Sequence, residues 1–144
     1  MSLIVKSISY TSTMDQQDDI FSKILRGEIP CYKIYEDDFV LAFLDVKPVT
    51  EGHTLVIPKK YARWVWDVEE IGQLMDACKK IANHFKSVTK QDVVYSFVHG
   101  EGVPYAHIHI FPKADDKYTA MLNSISGSLD FNKAEEIKNK YKLN

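Results

Sequence analysis

From residue 18 onward, short apolar runs alternate with polar punctuation, and their periods define the elements. Residues 18–27 place Ile20, Phe21, Ile24 and Leu25 on one helical face. Asp18 and Asp19 stand where an N-cap is wanted, and Gly27 where a helix can end. Residues 31–36 alternate as a strand, Asp37-Asp38 reads as a turn, and residues 39–44 continue as the second strand of a hairpin. A Pro- and Gly-marked loop over 47–52 leads to a third strand, 53–58, closed by proline. Between residues 67 and 88 the apolar positions Val68, Ile71, Leu74, Met75, Cys78, Ile81, Ala82 and Phe85 follow a helical period. Asp67, Glu69 and Glu70 lie at the end that the helix dipole favours for acids. Residues 93–98 and 106–111 read as a fourth and a fifth strand around a tight loop at 100–104, and 133–141 as a polar helix. Short strands linked mostly as hairpins predict an α+β fold: an antiparallel sheet of about five strands, a short N-terminal helix and one long helix. This domain is expected over residues 18–113. Residues 1–17 read as an N-terminal extension, with Met14 a second candidate start, and 114–144 as a C-terminal tail carrying the polar helix.

Composition narrows the function classes. A chain of 144 residues, 45% apolar and 26% charged, is sized and balanced for one buried core. A formal charge of -2 provides no general attraction to nucleic acid or to an acidic membrane, so a phosphate-bearing ligand must be held locally. No secretory leader and no stretch of ~18 apolar residues is read. Cys31 and Cys78 belong to no C-x-x-C pattern and are expected as free thiols in a reducing, cytoplasmic setting.

The segment Tyr105-Ala106-His107-Ile108-His109 carries the candidate chemistry. In a strand, Tyr105, His107 and His109 share one face at spacings of roughly 6 to 7 Å, while Ala106, Ile108 and Ile110 turn to the core. Two imidazoles displayed together suit catalysis, a metal, or a satisfied structural pair. A metal needs further ligands. Cupin-type sites place a glutamate four residues after the second histidine, and Lys113, which cannot ligate, holds that position here. No metal and no cofactor is therefore expected. His84, among polar neighbours on the long helix, reads as a surface residue.

Four blocks in order resemble the histidine-triad (HIT) superfamily: residues 19–30, the hairpin 35–45, Pro48 to Lys60, and the His-x-His segment followed by Pro112 and Lys113. The likeness is to its purine nucleoside phosphoramidase branch. It implies a two-fold homodimer and a purine nucleotide substrate. It also implies attack on the α-phosphate of a phosphoramidate or dinucleotide, through a covalent nucleotidyl-histidine. By position His107 is the nucleophile, and His109 and His53 manage protons and contact phosphate. Asp45 accepts from the ribose hydroxyls, Phe21, Ile24 and Ile29 enclose the base, and Glu101, Gly102 and Val103 flank the substrate. The sequence departs from the pattern in three places. Tyr105 replaces the first triad histidine, Glu101 stands where a glutamine is usual, and the preceding asparagine-bearing loop is shortened, with His99 in its neighbourhood. Tyr105 is expected to offer its phenol to a phosphate oxygen. The C-x-x-C zinc ligands of some members are Asp19 and Ser22 here. Glu101 and Tyr105 favour an alternative, a nucleotide-binding or scaffold protein with little turnover.

Overall fold

The computed structural model describes residues 18–113, 116–125 and 127–143; the extension assigned to residues 1–17, Met14 included, lies outside them. Asp19 opens the first helix, α1 (Ile20–Leu25). Its Oδ1 accepts from the amides of Phe21 and Ser22, both at 3.0 Å, and its Oδ2 from the Ser22 hydroxyl at 2.7 Å. Two amides that a helix start leaves unpaired are thereby satisfied. The chain then leaves the helix through Gly27 at φ +75°, a conformation open to glycine at little cost.

Strands β1 (Lys33–Glu36) and β2 (Val40–Leu44) form the expected hairpin. Its turn is held by Asp37, whose Oδ1 accepts the amides of Phe39 and Val40 at 2.8 Å each. β3 (Thr54–Pro58), the long helix α2 (Ile71–Thr89), β4 (Tyr95–Val98) and β5 (Ile108–Phe111) complete the domain. The sheet runs β1-β2-β3-β5-β4 with every pair antiparallel. The expected α+β architecture is therefore present. β5 lies between β3 and β4 and so holds His109 within the sheet, with His107 immediately before the strand.

Both faces of the central strands are covered. On one face Val40, Ala42, Val56, Ala106, Ile108 and Ile110 pack with Leu74, Ala77, Ile81 and Phe85 of α2. On the other, Leu41, Phe43, Leu55, Ile57 and Tyr105 pack with Phe21 of α1. That is why β2 and β3 read as nearly unbroken apolar runs rather than as clean alternation. The long helix differs in detail from its expected pattern. It begins at Ile71, after a single 3-10 turn over Val65–Asp67, and Ala77 rather than Met75 completes its buried stripe. Met75, one position around from Leu74, is 37% exposed. Cys31 and Cys78 are free thiols, and burial pushes the Cys78 thiol up to about 12, so it stays protonated. His84 is exposed on α2.

The chain divides into two compact units at the 114/115 boundary. The second contains α3 (Asp116–Ser124), which the sequence reading did not anticipate, and α4 (Ala134–Tyr141), whose residues are none of them buried. Among the described residues, no helix is long and apolar enough to cross a membrane.

Candidate active site

A cavity of about 470 Å³ opens on the sheet face that carries α1. Phe21 and Ile24 from α1, Ile29 from the segment after it, and Phe43 and Leu55 from the sheet form its apolar wall. Asp45 and Lys47, just beyond β2, line one side, and His99, Gly102 and Val103 another. His107 and His109 also reach it. Eight of the residues singled out in the sequence thus meet in one place: Phe21, Ile24, Ile29, Asp45, Gly102, Val103, His107 and His109. Lys47 and His99 were not among the assigned site residues. His99 had a signal in the sequence, its place beside the shortened loop.

His107 is 6% exposed and held from behind. Its Nδ1 lies 2.6 Å from the Tyr105 carbonyl oxygen. A carbonyl can only accept, so Nδ1 carries the proton and Nε2 keeps its lone pair. The Phe21 ring meets the imidazole edge-on, with centroids 5.1 Å apart. Burial draws the His107 pKa below its usual value, with the Tyr105 carbonyl working in the opposite direction. The imidazole is therefore neutral at neutral pH and able to act as a nucleophile.

Behind it runs a second set of hydrogen bonds. The Val49 amide donates to His53 Nδ1 at 3.2 Å, which leaves the His53 proton on Nε2. That nitrogen is 2.8 Å from His109 Nδ1 and donates to it. His109 Nε2 is then the donor to the His99 main chain. His53, 3% exposed, stands behind His109 and orients it without lining the cavity. Burial first, then the neighbouring His107 and His53, push His109 down to about 4. Burial also lowers His53, opposed by Asp45. All three imidazoles are thus uncharged at neutral pH.

Asp45 divides its carboxylate. Oδ1 accepts the Lys47 amide at 2.8 Å and caps the turn, while Oδ2 lies 3.6 Å from His53 Nε2. Asp45, His53 and His109 bring one potential ligand atom each to within 4.8 Å of one another. Their chemistry fits a metal poorly. His53 Nε2 carries the proton that a ligand nitrogen must lack. The two ring nitrogens at 2.8 Å are also closer than the roughly 3.3 Å that two imidazoles span on a tetrahedral zinc.

Two expected contacts take a different form. Tyr105 shares the sheet face of His107 and His109, but it is wholly buried beneath α1, against Phe21 and Tyr61. Its hydroxyl donates to the Pro58 carbonyl at 2.6 Å, and burial pushes the phenol up. The phenol does not face the cavity, so the expectation that it meets a phosphate oxygen is revised. The Tyr105 carbonyl, which orients His107, is what the residue contributes to the site. Glu101 is exposed and does not line the cavity, although the following Gly102 and Val103 do.

Known proteins resemble this chain in sequence and in fold. A family model described as the HIT domain matches residues 26–116. An adenosine 5′-monophosphoramidase of Schizosaccharomyces pombe is 36% identical over 107 residues, covering 69% of this chain and 77% of the relative. An adenosine 5′-monophosphoramidase of Saccharomyces cerevisiae is 32% identical over 139 residues, covering 91% of this chain and 84% of the relative. The crystal structure of a HIT family protein from Bacillus anthracis superposes with a TM-score of 0.66 at 30% identity, covering 88% of this chain and 99% of that one. With a match across more than half its length, the chain belongs to the HIT domain family, and its relatives include adenosine 5′-monophosphoramidases.

Proposed function

We propose that this protein hydrolyses purine nucleotide conjugates, adenosine 5′-phosphoramidates foremost, through a nucleotidyl-His107 intermediate. The observation that carries the reading is the tautomer of His107: Nδ1–H is tied to the Tyr105 carbonyl, so the lone pair on Nε2 is the reactive one. The base enters between Phe21, Ile24 and Ile29, and the ribose hydroxyls donate to Asp45. The α-phosphorus then lies before Nε2, which attacks in line as the bond to the leaving group breaks. The Tyr105 carbonyl stabilises the cationic imidazole ring that results. Water hydrolyses the intermediate and restores His107. The names of the two yeast relatives support the phosphoramidate as substrate class.

His107→Ala tests this directly. It should abolish release of AMP from an adenosine phosphoramidate while leaving AMP binding largely intact. Rapid quenching of the wild type should show the mass of one nucleotide on the peptide containing His107. Normal turnover by His107→Ala overturns the mechanism, and an adduct on His109 or His53 overturns the assignment of the nucleophile. Nucleotide binding without turnover by the wild type would favour the scaffold reading.

A further inference from the structure

A leaving amine must gain a proton as its bond to phosphorus breaks, and His53, His107 and His109 are poorly placed to supply one. His107 Nδ1–H and His109 Nε2–H are both committed to main-chain acceptors, and neither ring is charged at neutral pH. His53 is behind His109 and off the cavity. Tyr105 is sealed under α1. His99 differs from all of these. It lines the cavity, and its side chain is exposed.

We propose that His99 is the general acid that protonates the leaving group. Its ring centroid lies 6.4 Å from that of His109, which is itself 4.9 Å from that of His107. The leaving group departs on the side of phosphorus away from Nε2, and in the proposed pose it meets His99, which lines the same cavity as His107. The residue is also held in place. His109 binds its main chain. Gly100, next along, is clamped by Arg63, whose guanidinium donates to the Gly100 carbonyl at 2.8 Å and stacks 4.1 Å over the Trp64 ring. A Cβ on Gly100 would come within 2.9 Å of that indole, so the close approach needs glycine. A short, clamped loop therefore presents His99 to the site.

The step balances as follows. The His107 Nε2–phosphorus bond forms while the phosphorus–nitrogen bond of the substrate breaks. The leaving nitrogen takes the proton of the His99 imidazolium, which becomes neutral. In the second step, His99 accepts a proton from the attacking water as the phosphorus–Nε2 bond breaks, which regenerates the imidazolium.

The inference rests on the proposed nucleotidyl-transfer reaction, and the test separates the two. Single-turnover release is measured for two AMP conjugates, a morpholidate, whose amine needs a proton to leave, and a 4-nitrophenyl ester, whose phenolate does not. His99→Ala and His99→Gln should slow morpholine release on the order of a hundredfold, in the range of a lost general acid. Both should change 4-nitrophenol release less than about threefold. Equal losses on both substrates, or no loss on either, would overturn the role of His99 and leave the reaction standing. Failure of the wild type to cleave either conjugate would overturn the reaction and the proposal together.

Discussion

Tyr105→Phe separates a structural phenol from a catalytic one. The side chain is wholly buried, and its hydroxyl donates to the Pro58 carbonyl at 2.6 Å, with the Lys59 carbonyl at 3.3 Å. Phenylalanine keeps the ring, and with it the edge contacts to Phe21 and Tyr61. It also keeps the main-chain carbonyl that orients His107. What is lost is one buried hydrogen bond, which leaves an acceptor without this donor, at a cost of roughly 1 to 3 kcal/mol. For a chain of this size that lowers Tm by roughly 3 to 10 °C. Urea unfolding and thermal melting read the stability change, and phosphoramidate turnover per folded molecule reads the activity. The expected outcome is lower stability with kcat unchanged within about twofold. Unchanged stability together with a loss of kcat above tenfold would falsify the buried, structural role and return the phenol to the phosphate. Tyr105→His, by the same reasoning, sets an imidazole under α1 and should lose stability without raising turnover.

Acid should destabilise the fold before the carboxylates titrate. An unfolded histidine protonates near 6.5, whereas His109 in the fold is held at about 4. The unfolded chain therefore binds more protons within that window, so this stability is full above 6.5 and declines as pH falls through it. Between pH 7.5 and 5, His109 alone accounts for a loss on the order of 2 kcal/mol, with the lowered His53 and His107 acting in the same direction. Equal urea midpoints at the two pH values would contradict this, and His109→Asn should shrink the difference. Asp45→Asn retains an acceptor for the Lys47 amide but removes the charge offered to the ribose. AMP affinity by calorimetry should fall at least tenfold, about 1.4 kcal/mol, and an unchanged Kd in the folded variant would remove Asp45 from the ribose site. A homodimer is expected from the family resemblance, and light scattering that reports a monomer at every concentration tested would contradict it.

Much of the site could be read because its logic is local. The alternation of residues 105–110 separates His107 and His109 from the core-facing Ala106, Ile108 and Ile110, and the structure keeps that division. The Asp19 cap and the Asp37 turn were equally legible, since each acts within three residues of itself. The start of α2 was harder. Acidic residues at 67–70 suit a helix N-terminus, but the chain spends them on a 3-10 turn and the approach to Ile71. Helix α3 went unread. In its short, mostly polar span, Tyr118 is the one buried residue.

By itself the sequence determined the elements, the face on which the imidazoles lie and the family to which they belong, because period and motif are properties of neighbouring residues. Only the tertiary structure decided what those imidazoles can do. Proton positions follow from which partners the fold brings up: the Val49 amide on His53, His53 on His109 from 56 residues away, and His109 on the main chain of His99. The fate of the Tyr105 phenol was likewise set by α1, from the other end of the domain, whose Phe21 closes over it. Whether a polar group meets a ligand or a carbonyl depends on what packs above it, and strand periodicity carries no information about that.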